Sequence, residues 1–282
     1  MKYELIRVEP MVGALGAEIG GIDLTKPLAD QAVAELKRAF VEHHLLVFRG
    51  QPIDVEHQKA LGRHFGTLHV HPLFESIEGH PEVVAFVKEP EDRVNVGGGW
   101  HADLTCLERP PLGSILRVTE TPARGGDTLF ANMVAAYEAL SPAMQKFLEG
   151  LTAIHTSAKV YGPWGKYAHS KGKTGAPAKI DNAGQHAAHP IVRTHPESGR
   201  KSLFVNLAYT IFIKGLSLEE STAILEFLYS HAVKGEFTTR LRWEKDTIAF
   251  WDNRCTQHYA MNDYHGMRRA ALRVTIEGDR PA

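Results

Sequence analysis

The sequence predicts a mainly β, α+β fold: an antiparallel sandwich or barrel with helices packed outside it. Short runs of strand character recur along the chain between Pro and Gly punctuation, while helical periodicity is confined to a few segments. Strands and helices do not alternate as a doubly wound sheet would require. The 282 residues are many for an ordinary domain but usual for a single large β unit, and neither a repeat nor a linker interrupts them, so 1–282 is expected to form one domain.

Each element follows from local chemistry. Tyr3, Leu5 and Val8 fit a short strand, and Gly16 to Leu24 reads as a glycine-interrupted strand or loop. Leu28, Val33, Leu36 and Phe40 recur at helical spacing from Pro27 to His43, and Leu45 to Phe48 forms a buried strand. Asp54 caps a helix that ends near Gly66. Strands are expected at Glu82 to Val87, Gly113 to Val118 and Asp127 to Ala131. Ser141-Pro142 opens a helix with Met144, Phe147 and Leu151 as its apolar stripe. Residues 162–186, rich in Gly, Lys, Ser and Ala without periodicity, read as a long loop of the kind that serves as a lid. His189 to Arg193 and Ser202 to Asn206 look like strands, and the capping box at Ser217 starts a helix through Tyr229. Phe237 to Trp243, Thr247 to Trp251 and Arg269 to Ile276 complete the strand set.

Composition narrows the function. With 43% hydrophobic and 23% charged residues, a net charge of -1 and a pI near 7.0, the chain has no global field for nucleic acid or an anionic membrane. No apolar run reaches a membrane span and no leader pattern opens the chain, so a cytoplasmic protein is expected. Cys106 and Cys255 form no paired motif, which points to two reduced, partly buried thiols.

The chemistry-bearing residues begin at Trp100-His101-Ala102-Asp103. On a strand, a period of two would put His101 and Asp103 on one face, close enough to share a metal. His258 follows the polar run Asp252 to Gln257 and would sit at the entry to the next strand. Two histidines and a carboxylate make the facial triad of non-haem Fe(II) oxygenases, which leaves positions open for substrate and dioxygen. Arg269 and Arg273 share one strand face, with Arg268 turned away, and a guanidinium inside an apolar strand needs an anion. Each feature taken alone also has an ordinary structural explanation: a solvated His-x-Asp pair, a core histidine, or two ion-paired arginines.

Together they resemble a known family. Trp100-His101-x-Asp103, Gly125-Gly126-Asp127-Thr128-Leu129, Trp251-Asp252-Asn253-Arg254-x-Thr256-Gln257-His258-Tyr259-Ala260 and Arg269-x-x-x-Arg273 are similar to the taurine dioxygenase (TauD/TfdA) family of Fe(II)/2-oxoglutarate-dependent dioxygenases. Phe65-Gly66-x-Leu68-His69-x-His71-Pro72 and Val192-Arg193-Thr194-His195-Pro196 extend the match over most of the chain. The resemblance implies a double-stranded β-helix, the jelly-roll or cupin-like core, with flanking helices and an active-site lid. It also implies that His101, Asp103 and His258 bind Fe(II), and that Arg269 and Thr128 hold the distal carboxylate of 2-oxoglutarate. Arg273 would stand between cosubstrate and substrate. Dioxygen is the oxidant, and succinate and CO2 leave as the substrate is hydroxylated, with fragmentation of the product as a further step. Homo-oligomers, dimers or tetramers, are implied as well.

Substrate assignment departs from the taurine pattern. His71 matches a histidine that contacts an anionic head, which favours a small anionic substrate. Phe74, Gly97 and Val160 stand where that pattern has polar side chains, and Tyr161 and Tyr209 stand in place of phenylalanines. Losing buried polar partners costs selectivity for the original ligand. An alkyl sulfonate, a sulfate ester or an aryloxyalkanoate fits better, with taurine itself as the alternative. Two other classes remain: a zinc hydrolase using the same triad, against which Arg269 argues, and a non-catalytic anion-binding jelly-roll.

Overall fold

A computed structural model of the chain describes residues 2–163, 165 and 184–282. Its strands are β1 (Arg7–Pro10), β2 (Ala17–Gly20), β3 (Leu45–Phe48), β4 (Ser76–Ile77), β5 (His80–Lys88), β6 (Gly113–Glu120), β7 (Thr128–Asn132), β8 (Thr152–Thr156), β9 (His186–Pro190), β10 (Val192–Thr194), β11 (Lys201–Leu203), β12 (Thr210–Ile213), β13 (Thr238–Leu241), β14 (Ile248–Asp252), β15 (Thr256–Ala260) and β16 (Arg269–Ile276). The helices are α1 (Asp30–His43), α2 (Val55–Arg63), α3 (Met133–Glu138), α4 (Pro142–Leu148), α5 (Ala158–Tyr161) and α6 (Leu218–Ala232).

An eight-stranded sheet runs in the order β1-β2-β3-β14-β6-β16-β5-β4, and a three-stranded sheet runs β13-β7-β15. All but the β2–β3 pair in these two sheets are antiparallel. They share one apolar interior: Val47, Val118, Ala249, Trp251 and Ala271 of the large sheet pack with Phe130 and Leu241 of the small one. Residues 97–101 lengthen the small sheet at its edge. Ala260 N donates to Gly97 O at 3.0 Å, and His101 and His258 exchange backbone hydrogen bonds of 3.1 and 2.8 Å.

Helices cover the outer faces. Phe40 of α1 stacks on Phe250 at 4.1 Å between ring centroids. Gln58 of α2 donates to the carbonyls of Ile115 and Leu272, which ties the helix to β6 and β16. On the other side, Leu225, Leu228 and Ala232 of α6 share a core with Met133 and Ala136 of α3. The caps behave as the sequence demands: Asp54 and Ser217 each close a capping box, and Ser141 caps α4 ahead of Pro142.

Several expectations are corrected. His101 and Asp103 do not share a regular strand: His101 makes an isolated bridge, and the chain turns at once, with Leu104 at φ 48°. His258 lies inside β15, not at its entry. In α4 the inward residue is Leu148, whereas Phe147 is 45% exposed and Leu151 lies past the helix end. The expected strand from His189 to Arg193 breaks at Ile191 into β9 and β10. The loop at 162–186 lies almost wholly outside the described residues. No helix among the described residues is long and apolar enough to cross a membrane.

Candidate metal and cosubstrate site

Three side chains from two segments converge. Asp103 sits at the start of a turn that Asn253 fixes from across the interior: the Asn253 Oδ1 accepts the Asp103 amide at 2.6 Å, and its Nδ2 donates to the Asp103 carbonyl at 2.9 Å. One carboxylate oxygen, Oδ2, accepts from Ser114 Oγ at 3.0 Å. The other, Oδ1, accepts from Arg273 Nη1 at 3.0 Å and stands 3.8 Å from His101 Nε2 and 4.0 Å from His258 Nε2. The potential ligand atoms of the three residues all lie within 4.8 Å of one another. A metal about 2.1 Å from each donor needs them roughly 3 to 3.5 Å apart, so the side chains would have to draw together by roughly half an ångström to an ångström to share one ion.

Protonation suits a cation. His101 Nδ1 lies 2.8 Å from the Gly99 carbonyl, an acceptor, which puts a proton on Nδ1 and leaves Nε2 as the atom turned toward Asp103. Burial, joined by His101 and Arg273, pushes His258 well below its ordinary value against the pull of Asp103, so its imidazole is neutral. Burial alone would raise the Asp103 carboxyl, but Arg273, His258, His101 and Ser114 together hold it below the usual carboxylate range. Two imidazole Nε2 atoms and one carboxylate oxygen therefore face the same point.

A second cluster of metal-ligating types, His195, Asp252 and Cys255, fails the same test. His195 Nδ1 accepts from the amides of Glu197 and Ser198 at 3.3 and 3.1 Å, which leaves the proton on Nε2, donated to Asp252 Oδ2 at 3.0 Å. Both Asp252 oxygens also accept from Arg254, at 2.8 and 2.6 Å. Burial raises the Cys255 thiol well above its ordinary value. His195 Nδ1 and both Asp252 oxygens each already accept two donors, and the thiol stays protonated, so the cluster offers an ion no ready ligand set.

The triad lies where two cavities meet. The smaller, about 60 Å³, is lined by Thr128, Phe130, Trp243, Trp251, His258, Arg269 and Arg273. Arg269 is buried, its guanidinium stands 5.5 Å from the Trp243 ring centroid, and its Nε and Nη2 have no hydrogen-bond partner among the described residues. Trp243 Nε1 donates to Thr128 Oγ1 at 2.9 Å, so the Thr128 hydroxyl keeps its own hydrogen for another acceptor. An orphaned planar fork beside a free hydroxyl hydrogen fits a carboxylate. Gly126, at φ 73°, allows this approach: a Cβ there would lie 3.3 Å from both Arg269 Cδ and the Tyr264 ring. Arg268 faces away, as its position predicts, and pairs with Glu89 and Glu120.

The larger cavity, about 260 Å³, is lined by all the predicted substrate positions, His71, Phe74, Gly97, Val160, Tyr161, Tyr209 and Arg273, together with His101 and Asp103. His71 Nδ1 accepts from the amides of Leu73 and Phe74 at 3.1 and 3.2 Å, which places the imidazole proton on Nε2. Sequence reasoning missed four residues here. Lys159 lines the same wall, immediately before Val160 and Tyr161. Asn253 and Ser114 position Asp103, and Trp243 supports both Thr128 and Arg269; only Asn253 carried a signal, as part of the Trp-Asp-Asn-Arg run.

Known proteins resemble the chain over nearly its whole length. Residues 7–275 match the model of the family described as taurine catabolism dioxygenase TauD, TfdA family. An alpha-ketoglutarate-dependent sulfate ester dioxygenase of Pseudomonas putida is 34% identical over 97% of this chain and 90% of its own length. An alpha-ketoglutarate-dependent 2,4-dichlorophenoxyacetate dioxygenase of Cupriavidus pinatubonensis is 32% identical over 96% of this chain and 97% of its own. The crystal structure of a taurine dioxygenase from Burkholderia xenovorans superposes with a TM-score of 0.84 at 34% identity, covering 99% of this chain and 91% of that one.

Proposed function

The chain belongs to the TauD/TfdA family of 2-oxoglutarate-dependent dioxygenases, and from that premise we propose how its own residues run the reaction and on what. It is an oxidoreductase whose cofactors are Fe(II), 2-oxoglutarate and dioxygen. In our reading His101, Asp103 and His258 hold the iron, Arg269 and Thr128 take the distal carboxylate of 2-oxoglutarate, and Arg273 stands between cosubstrate and substrate. The observation that carries this is the buried Arg269 fork, whose Nε and Nη2 have no partner among the described residues, in one cavity with His101 and His258 of the triad. A zinc hydrolase would have no use for it.

The iron, cosubstrate and dioxygen together supply the oxidation: 2-oxoglutarate and O2 become succinate and CO2 with one oxygen atom delivered to a substrate C–H, which becomes C–OH. The protein's residues do the placing. Ser114 occupies Oδ2 of Asp103 and leaves Oδ1 toward the histidines, which favours single-oxygen ligation and an open face. Arg269 and Thr128 fix one end of the cosubstrate so that its keto acid end reaches the metal. Phe130, Trp243 and Trp251 keep bulk water from that lobe, which strengthens each charge interaction inside it. In the larger lobe, apolar walls and His71 present one C–H bond of a bound anion.

The substrate we propose is a small organic anion of the alkyl sulfonate, sulfate ester or aryloxyalkanoate type. Taurine is less suited, because Phe74, Gly97 and Val160 offer no side-chain hydrogen bond to its amine end. When the hydroxylated carbon also bears oxygen or sulfur, its O–H proton leaves as the heteroatom group departs, giving a carbonyl compound and the released anion. We further propose that residues 1–282 work as one domain with a double-stranded β-helix core, a lid over the substrate mouth, a cytoplasmic location and a homo-oligomeric state.

The test is an anaerobic titration with Fe(II) and 2-oxoglutarate, followed by a panel of sulfonates, sulfate esters and aryloxy acids. A visible charge-transfer band perturbed by one class, and succinate formed with that class once oxygen is admitted, is the expected result. A metal-replete protein that binds no 2-oxoglutarate would falsify the reading.

A further inference from the structure

We infer that the Lys88 ammonium is a second cation of the cosubstrate lobe, standing beside Arg269 and favouring ligands with a distal negative charge; this rests on the oxygenase reading above. Arg269 makes the direct contacts, and Lys88 acts through its charge on the same carboxylate.

Lys88 is the last residue of β5 and lies directly opposite Arg269 in the antiparallel pairing of β5 with β16. Side chains so paired project to one face, with Cβ atoms roughly 5 Å apart. The face is the interior one, because Phe86, two residues earlier on β5, lines both cavities. Lys88 and Arg269 are 5% and 8% exposed. The Lys88 Nζ and the Arg269 Nε and Nη2 are buried, and none of the three has a hydrogen-bond partner among the described residues. Lys88 Nζ lies 4.6 Å from the Tyr264 ring centroid, and the edge of that ring flanks Gly126 together with Arg269. The two cations therefore share one tyrosine as a neighbour.

No carboxylate among the described residues forms an ion pair with either. Glu89 and Glu120 pair with Arg268 on the opposite face, Asp127 pairs with Arg240 at 2.6 Å, and Asp263 and Asp92 accept the amides of Gly126 and Glu89 at 2.7 and 3.0 Å. Like charges directly opposite on a sheet destabilise it, and a lysine is rarely buried without a partner. Tyr264 asks of residue 88 only an apolar stem, which methionine would supply without the charge. What the ammonium adds is attraction for an anion. That attraction is strong here because Phe130, Trp243 and Trp251 line the lobe and keep its dielectric low. A distal carboxylate seated on the Arg269 fork relieves the repulsion between the two cations as it binds.

Two ligands of similar shape separate charge from fit: 2-oxoglutarate, and 2-oxopentanoate, which carries a methyl group in place of the distal carboxylate. Calorimetry on the Mn(II)-loaded protein without oxygen should show 2-oxoglutarate bound about tenfold more weakly by Lys88→Met and Lys88→Gln than by the wild type. Affinity for 2-oxopentanoate should stay as it is, and Lys88→Arg should restore that for 2-oxoglutarate. The metal-free Lys88→Met protein should melt no lower than the wild type, because an unpaired buried charge gives way to an apolar group of similar length. Unchanged 2-oxoglutarate affinity in Lys88→Met and Lys88→Gln, an equal loss for both ligands, or a lower melting temperature in metal-free Lys88→Met overturns the inference and leaves the oxygenase reading in place. A Mn(II)-loaded wild type that binds no 2-oxoglutarate overturns both.

Discussion

Asp103 is held from four directions before any ion arrives: Asn253 grips its backbone, Ser114 one oxygen, Arg273 the other, and the two histidines complete the ring. Replacing Asn253 with alanine strips the buried Asp103 amide and carbonyl of their partner and should cost about 1 to 3 kcal/mol in a denaturant melt. Fe(II) affinity should fall with it, and an unchanged affinity would mean that the turn holds itself. Arg269→Leu should weaken 2-oxoglutarate binding about a hundredfold, the loss of a buried bidentate charge pair, while metal affinity stays nearly intact. Equal loss of both would assign Arg269 to the fold. His44 reports on pH, because burial lowers it to about 4 from an ordinary 6.5. The unfolded chain takes up a proton there that the folded chain refuses. Its contribution is thus complete above pH 6.5 and drains away as the pH falls toward 4, by about 3 kcal/mol in all. The paired Asp252, held low by Arg254 and His195 against the effect of burial, loses its contribution only at still lower pH. Urea midpoints between pH 7 and pH 4 should decline less steeply in His44→Asn, a residue that tolerates the left-handed φ of 62° found there. An identical slope would discard this assignment.

At the scale of elements, β16 carries the most function. Its register against β5 and β6 puts Arg269, Ala271 and Arg273 on the interior face, Arg269 in the wall of the smaller lobe and Arg273 in the walls of both, with a small residue between. This strand was legible from sequence to the residue, because an apolar run broken only by arginines four apart admits few other readings. The caps of α2, α4 and α6 were equally legible, since a cap is a local bargain between one side chain and one amide. Elements whose periodicity was masked were missed. In β8 the inward residues are Ala153 and His155, so a buried histidine, bonded to Thr105, hides the alternation. In β12 apolar residues occupy both faces, with Ile211 45% exposed. The bend after His101 also escaped, because the contact that makes it, Asn253 to Asp103, joins residues 150 apart. The site residues could be named on chemistry and spacing, yet their convergence depends on such distant contacts. For the helices, Ser217→Ala should lower stability by about 1 kcal/mol, seen as a shift of the urea midpoint at constant slope. A null shift would mean that α6 is held by its buried face alone.

For the molecule as a whole, the proposed metal and cosubstrate site exists only where β15, β16 and the 97–103 segment are assembled, so ligand binding and folding should be linked. Mn(II) with 2-oxoglutarate at about a hundredfold over its dissociation constant should add about 2.7 kcal/mol to unfolding. The rise in melting temperature should vanish in His258→Ala while that variant's apoprotein melts near the wild type. A large drop in the apo variant would instead make His258 a core residue. The two cavities that meet at the triad have only Phe86, Val96, Gly97, His101 and Arg273 in common. Substitutions at Phe74, Val160 or Leu207 can therefore drift or be randomised without touching any wall of the cosubstrate lobe. The choice of what is oxidised is thus separable from the machinery that oxidises it, and a combinatorial library confined to that wall should retain succinate production in most members that fold.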